Sequence, residues 1–171
     1  LSALVGAAHL VLLGLDGVLL VVPVLILALL LWRVFRADRG MGAVPYVVRG
    51  VEHLSPATVE VTLQPLARPL GAQPGQFVLA AFEAGPGFRG CGEYHPYTIS
   101  ALGADGRMGL GIKALGDCTR QLQQVQPGTE ARVQGPFGRF LADGVAGPSL
   151  WVAGGLGITP FVAALRNGPL A

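Results

Sequence analysis

The chain has 171 residues, of which 51% are hydrophobic and 13% are charged, and its formal net charge is +2 at pH 7. The charge is small and scattered, with no run of Lys and Arg interleaved with aromatic residues, so no nucleic acid is expected as a partner. The hydrophobic residues are concentrated at the N-terminal end, which divides the chain into a membrane-like part and a globular part.

Residues 17–35, GVLLVVPVLILALLLWRVF, predict a transmembrane helix. At about 1.5 Å per residue, this run just spans a hydrocarbon core about 30 Å thick. The apolar residues before it predict the end of an earlier helix, so residues 1–35 are expected to form a transmembrane helical hairpin. Arg33 lies near the end of the run and Arg36 and Arg39 follow it, and the positive-inside rule then places the rest of the chain in the cytoplasm.

His9 is an ionisable residue in the middle of the first apolar stretch. One interpretation is a neutral imidazole hydrogen-bonded to a neighbouring backbone group. The other is an axial ligand of a haem, because helical bundles hold cofactors through histidines that face inward. The residues alone leave both interpretations open, and His9 is the candidate metal ligand of the sequence.

The chain contains two cysteines, Cys91 and Cys118. Their spacing matches no C-x-x-C metal motif, and the sequence gives no other reason to pair them. We therefore expect free thiols in a reducing compartment.

A polar, glycine-containing connector, residues 36–45, precedes the globular part. Six segments after it have the alternation, β-branched composition and flanking turns of short strands: 46–54, 57–65, 74–83, 93–100, 107–115 and 130–138. One short helix is predicted over 119–125. This pattern is typical of a small closed Greek-key barrel, and we assign residues 46–146 to a six-stranded antiparallel β-barrel.

The sequence pattern of the last segment differs from that of the six predicted strands. Residues 149–165, SLWVAGGLGITPFVAAL, predict a buried apolar strand, a glycine-rich turn and the start of a helix, which is how a parallel α/β nucleotide-binding unit begins. We assign residues 147–171 to the truncated start of such a domain. Because the chain begins with Leu and stops soon after this strand, we expect a fragment of a larger protein.

Four motifs, HPYTIS, IKALGDCT, GPFGRF and AGGLGITPF, occur in the order and spacing of the FAD-binding domain of ferredoxin-reductase-type flavoproteins. His-Pro followed by an aromatic residue and Thr resembles the ferric reductase and NADPH oxidase branch, rather than the Arg-x-Tyr-Ser form of the soluble reductases. The resemblance covers about residues 45–171. In that branch the last membrane helices precede this domain, where the apolar hairpin lies here.

The resemblance implies an FAD site built on the barrel. Tyr97 would contact the flavin ring and Thr98 would place its hydroxyl near N5, where hydride arrives, so these two are the candidate catalytic residues. Without the resemblance to the family, residues 93–100 would be interpreted as an edge strand with Pro near its start, and GDCT as an ordinary helix cap. The implied FAD ligands are His95, Pro96, Tyr97, Thr98, Ser100, Ile112, Lys113, Gly116, Asp117, Cys118 and Thr119.

The GGLGITPF motif implies a pyrophosphate site for NAD(P)H through Gly155, Gly157 and Thr159, with Pro160 in the first turn of the following helix. A glycine turn by itself is weak evidence for a nucleotide, and its place after a flavin domain strengthens it. The family's later nucleotide-binding elements lie beyond Ala171, so we expect this chain not to complete a dinucleotide site.

Together these implications describe a membrane-bound oxidoreductase that passes electrons from NAD(P)H through FAD to membrane haem b, held by His9, and on to ferric iron or dioxygen. One alternative is a membrane-tethered FAD reductase without haem that feeds a separate iron–sulfur or oxygenase partner. A third is a membrane-anchored, non-catalytic binding module that has kept the fold. The expected location is the bacterial inner membrane, with the FAD domain in the cytoplasm.

Overall fold

The structure is a computed structural model that describes residues 16–38, 42–141, 148 and 150–167. The chain divides into two compact units, residues 1–42 and 43–171. The first unit is described through helix α1, Asp16–Asp38, which contains Pro23. Within the described residues, no helix combines the length and hydropathy of a membrane span. The predicted transmembrane hairpin is not confirmed, and its first helix, with His9, lies outside the described residues.

The second unit is built on six antiparallel strands that form a closed barrel in the order β1-β2-β5-β4-β3-β6. Because β2 pairs with β5 rather than with β3, the connection crosses one end of the barrel, as in a Greek key. The predicted six-stranded barrel is confirmed. The strands are β1 Val44–Ser55, β2 Thr58–Pro65, β3 Phe77–Phe82, β4 Cys91–Leu102, β5 Met108–Lys113 and β6 Glu130–Phe137.

Alternating side chains explain why these segments close around one core. In β2, Val59, Val61 and Leu63 are fully buried, while Glu60 and Thr62 between them are partly exposed. A strand points successive side chains to opposite faces, so this pattern fills the barrel interior from one face. The same arrangement places polar groups on the outer face, where the remaining elements pack.

Two helical segments accompany the barrel. Helix α2, Asp117–Gln121, and a 3₁₀ turn, Leu122–Gln124, lie between β5 and β6 and confirm the predicted short helix. A second 3₁₀ turn, Gly155–Ile158, leads into helix α3, Thr159–Arg166. Helix α3 packs against β4 on the outside of the barrel.

The prediction of an apolar strand before α3 is wrong for the described residues. Residues 150–154 have no regular secondary structure, and the Leu150 and Val152 side chains are 88% and 81% exposed. A strand is stable only when a neighbour satisfies its backbone groups, and none of the described strands pairs with this segment. The helix predicted in the same motif is confirmed, with Pro160 in its first turn.

An ion pair ties α3 to the barrel. The Arg166 Nη1 atom lies 2.6 Å from Oε1 of Glu60, whose side chain is 12% exposed, and the Ser100 hydroxyl donates to the same oxygen. Burial by itself raises the pKa of Glu60, but the hydrogen bonds from Arg166 and Ser100 and the positive charge of Arg166 outweigh it, so the pKa is lowered. The carboxylate is thus stabilised in its charged form by folding.

We expect Glu60→Gln to lower the free energy of unfolding at pH 7 by about 1 kcal/mol, because Arg166 loses its charged partner in a partly solvent-screened pair. A lowered folded pKa contributes stability above the unfolded value of about 4.3, and that contribution is lost as the pH falls through the folded pKa. The difference between wild type and variant should therefore shrink in acid. Urea unfolding from about pH 3 to pH 7 measures it.

The matched control is Glu130→Gln, which changes an exposed glutamate at the start of β6 and should leave the pH profile as in wild type. A difference between Glu60→Gln and wild type that stays constant with pH would contradict the assignment.

Candidate functional site

Two adjoining cavities lie at the end of the barrel where β4 begins and β5 ends. The first, the strand cavity, has a volume of about 310 Å³ and is lined mainly by residues of β4 and β5. The second, the loop cavity, has a volume of about 640 Å³ and lies between the start of β4 and helix α2. Both are in the size range of small-molecule sites. They share His95, Leu115 and Thr119 in their walls.

The strand cavity exists because two neighbouring strands separate. The register of β4 with β5 runs from Leu102 opposite Met108 to Ile99 opposite Leu110 and ends there. Towards its start β4 instead pairs with β3, as Tyr97 lies opposite Val78. The gap left between β4 and β5 is the strand cavity.

The cavities collect most of the predicted site residues. The strand cavity is lined by His95, Pro96, Tyr97, Thr98, Ile112, Lys113, Thr119 and Thr159, and also by Gly111, Leu115 and Leu156. The loop cavity is lined by His95, Gly116, Asp117, Cys118 and Thr119, and also by Gly90, Cys91, Gly92, Glu93, Leu115 and Gln121. Among the described residues that were predicted, Ser100, Gly155, Gly157 and Pro160 line neither cavity.

Tyr97 is one of the deeply buried side chains in the wall of the strand cavity, with 6% of its surface exposed. Its ring packs edge-on against Phe82, with 6.2 Å between the ring centroids. Its hydroxyl is buried and has no hydrogen-bond partner among the described residues. Burial raises the pKa of Tyr97 to about 12, so the hydroxyl keeps its proton at neutral pH. A buried polar group left unsatisfied costs about 1–3 kcal/mol, which a ligand with a hydrogen-bonding group would recover.

Thr98 and Lys113 give the strand cavity two further polar groups. Thr98 follows Tyr97 and therefore projects from the opposite face of β4, where it is half-buried. Lys113 is the last residue of β5 and is exposed. The cavity thus combines a hydroxyl, a positive charge and the apolar side chains of Ile112 and Leu156.

The turn before α2 is held by Thr119. Its Oγ1 atom accepts hydrogen bonds of 2.9 Å from the backbone N–H groups of Leu115 and Gly116, and the hydroxyl donates to the Gly116 carbonyl at 3.2 Å. The hydroxyl of Thr119 is therefore used to shape the turn. Asp117 forms an exposed ion pair of 2.7 Å with Arg120 one turn later.

Cys91 and Cys118 form a disulfide bond, so the prediction of free thiols is wrong. The Cα atoms lie 5.6 Å apart, although 27 residues separate the cysteines in the chain. The physical reason is topological, because antiparallel β4 and β5 place the start of one strand beside the end of the other. Cys118, which is predicted to contact a cofactor, is part of a disulfide in the wall of the loop cavity.

Sequence reasoning missed Cys91 and Glu93, which lie in the wall of the loop cavity beside His95. The Glu93 Oε2 atom lies 3.6 Å from His95 Nε2, and the Cys91 Sγ atom lies 3.9 Å from the same nitrogen. Alternation along β4 could have indicated these residues, because residues 91, 93 and 95 are alternate positions of that strand. They were not grouped because the predicted strand started at residue 93 and excluded Cys91.

The family model described as an FAD-binding domain matches residues 46–148, which include all of the barrel except the first two residues of β1. The chain belongs to this family of FAD-binding domains. Its strand and loop cavities are therefore the candidate site of an FAD-binding domain.

Two relatives and one solved structure illustrate the range of similar proteins. Human NADPH oxidase 3 is 32% identical over 106 residues, which are 55% of this chain and 18% of the oxidase. The reductase component of the naphthalene 1,2-dioxygenase/salicylate 5-hydroxylase systems of Ralstonia is 30% identical over 106 residues, 60% of this chain and 30% of that protein. The chain thus spans less than a third of the length of either relative.

The structure of a cytochrome P450 reductase from Amycolatopsis has a TM-score of 0.59 and is 23% identical. The match covers 73% of this chain and 38% of that chain. At this identity the likeness shows the fold alone. It supports the assignment of the fold as a six-stranded barrel.

The residues of this FAD-binding domain fit its cofactor. A flavin is a flat ring with polar edges, joined to a negatively charged tail. The strand cavity is lined by Tyr97, whose buried hydroxyl has no partner among the described residues, and by the positively charged Lys113. The loop cavity adjoins it through His95, and the negative charge of Asp117 is neutralised there by Arg120.

We expect Tyr97→Phe to separate binding from stability. Without the ligand, the free energy of unfolding should stay equal or rise by up to about 1 kcal/mol, because a buried hydroxyl without a partner is removed. FAD affinity should fall by about 3-fold to 10-fold, the loss of one neutral hydrogen bond. Urea unfolding and titration of FAD fluorescence measure the two effects.

Tyr94→Phe is the control, because the Tyr94 hydroxyl is also buried without a partner among the described residues but lines neither cavity. This variant should bind FAD as wild type does. Equal affinity in Tyr97→Phe and wild type would remove the Tyr97 hydroxyl from the site.

Proposed function

We propose that the chain is the flavin-bearing part of a membrane-bound oxidoreductase that takes electrons from NAD(P)H and delivers them to membrane haem b and on to ferric iron or dioxygen. The proposal rests mainly on the strand cavity, where His95, Tyr97, Thr98 and Lys113 lie together. This cavity belongs to a domain that matches the FAD-binding family model. The similarity to human NADPH oxidase 3 supports the choice of acceptor branch.

When bound, FAD would accept two electrons as hydride from NAD(P)H and release them one at a time. The residues of the chain then have separate tasks. Tyr97 donates a hydrogen bond from a hydroxyl that stays protonated, and Thr98 supplies a hydroxyl for the flavin N5. Lys113 and His95 hold the ribityl and phosphate part, and the turn that Thr119 fixes supports it from the loop cavity.

The residues that line the strand cavity support the approach of NAD(P)H to the proposed flavin site. Leu156 and Thr159, from the glycine motif and the start of α3, line it together with Tyr97 and Thr98. The Thr159 hydroxyl donates to the Leu156 carbonyl at 2.6 Å, which fixes the first turn of α3. A nucleotide held by this motif would therefore lie beside the flavin ring.

The membrane part of the proposal rests on α1. Its large apolar side chains between Val21 and Trp32 are 45–63% exposed within the chain, all around the helix. Lipid or neighbouring apolar helices would cover such a surface. With the arginines that follow it, we place α1 in the bacterial inner membrane and the FAD-binding domain in the cytoplasm.

A second candidate is a membrane-tethered FAD reductase without haem that feeds a separate iron–sulfur or oxygenase partner. The relative from Ralstonia favours it, because that protein is the reductase component of dioxygenase and hydroxylase systems and matches 60% of this chain. The two candidates share the flavin site and differ in whether His9 binds haem.

The absorption spectrum of the detergent-extracted protein, supplied with FAD and haem, tests both candidates. We expect flavin bands at one FAD per chain, and a Soret band that His9→Ala abolishes because an axial ligand is lost. His53→Ala is the control, since His53 is an exposed residue of β1 and should leave the Soret band unchanged.

Flavin bands without a Soret band would favour the tethered reductase over the haem protein. A Soret band that survives in His9→Ala would overturn the role of His9. Absence of both cofactors would leave the non-catalytic binding module.

In a chain extended to include a complete nucleotide-binding domain, Thr98→Val should slow flavin reduction by NAD(P)H about 10-fold to 100-fold while FAD affinity changes less than about 3-fold, because a hydrogen bond at the reacting atom is lost and the volume is kept. Stopped-flow reduction at saturating FAD measures the rate, and reduction by dithionite shows that the flavin itself is intact. Thr62→Val, on β2 and outside both cavities, is the control. An unchanged rate in Thr98→Val would exclude Thr98 as a catalytic residue.

A further inference from the structure

We propose that Cys91, His95 and Cys118 form a metal site in the reduced protein, which binds one zinc ion with the Glu93 carboxylate as fourth ligand. The Sγ atoms of the two cysteines and one imidazole nitrogen all lie within 4.8 Å of one another. Two sulfurs and one imidazole are a ligand set that selects zinc and similar soft divalent cations. This site shares His95 with the proposed flavin site, but its occupation requires no FAD.

The distances already approach those of a tetrahedral zinc site. With Zn–S near 2.3 Å and Zn–N near 2.0 Å, neighbouring ligand atoms lie about 3.4–3.8 Å apart. The His95 Nε2 atom is 3.9 Å from Cys91 Sγ and 3.6 Å from Glu93 Oε2. Once the disulfide is opened, rotation of the two cysteine side chains can separate the sulfurs to about 3.8 Å without moving the backbone.

The sequence places these groups together without help from a long loop. Cys91, Glu93 and His95 are alternate residues at the start of β4, so the strand directs them to one side. Cys118 comes from α2, whose preceding turn is fixed by Thr119. The site is therefore held by a strand and by a braced turn, which reduces the entropy that metal binding must overcome.

The chemistry has two balanced steps. A thiol reductant gives two electrons and two protons to the disulfide, so the S–S bond breaks, two thiols form and the reductant becomes its own disulfide. Zinc then binds the two sulfurs as thiolates, and the two thiol protons are released to solvent. In reducing compartments cysteine pairs bind metals more often than they persist as disulfides.

The site lies in the wall of the loop cavity, whose other wall includes Gly116 and Asp117. A zinc ion there would be open to the cavity on one side. We expect it to bind in the absence of FAD, so the measurement is made on the FAD-free protein and its result does not depend on the flavin proposal.

The experiment uses the whole chain in detergent, reduced with a phosphine under anaerobic conditions and freed of reductant. We expect one zinc ion per reduced chain, measured by competition with a chromogenic chelator, and none per oxidised chain. Cobalt(II) should give a thiolate charge-transfer band and the ligand-field bands of tetrahedral coordination. His95→Gln should weaken zinc binding about 100-fold, and Glu93→Gln by less, since water can replace one oxygen ligand.

His95→Gln keeps both sulfurs and is preferred to cysteine variants, which also remove the disulfide. His53→Gln is the control and should bind zinc as wild type does, because it is exposed on β1. Circular dichroism of the reduced protein checks that the barrel persists. A folded, reduced wild type that takes up no zinc, or a His95→Gln variant with unchanged affinity and cobalt spectrum, would overturn the proposal.

Discussion

The divergence of β4 from β5 is the constraint on which the candidate site depends. The two strands pair between Ile99 and Leu102 of β4 and then part, because β4 is held by β3 towards its start. A closed barrel allows such a gap without creating a free edge elsewhere, since every strand keeps its other neighbour. The gap forms a cavity of about 310 Å³, and its walls carry polar residues such as Thr98 and Lys113.

The ends of the two strands also determine the second cavity and its chemistry. Because β4 begins where β5 ends, Cys91 reaches Cys118 and His95 stands between the two cavities. The same residues can therefore bear on a cofactor phosphate, a disulfide or a metal ion. The two cysteines form a disulfide here, and the metal site proposed above would require their reduction.

The barrel was predictable because its information is local. The alternation of apolar and polar residues in segments such as Val59 to Leu63 indicates a strand with one buried face, and turn residues mark the ends of such strands. Tyr97, Thr98 and Ile112 were predicted as site residues because they lie in short motifs whose order is specific, and all three line the strand cavity. The disulfide and the Glu60–Arg166 pair were not found, because each joins residues that only the closed topology brings together. The terminal strand was predicted from composition, which says nothing about whether a neighbouring strand is there.

The pairing of the first and last strands has a separate consequence. Val44, at the start of β1, lies opposite Val133 of β6, so the chain enters and leaves the barrel side by side at one end. Domains with adjacent ends can be inserted into other chains with little distortion of the host. This barrel is therefore suited to insertion between other domains, because it can be joined to different neighbouring segments without changes to its core.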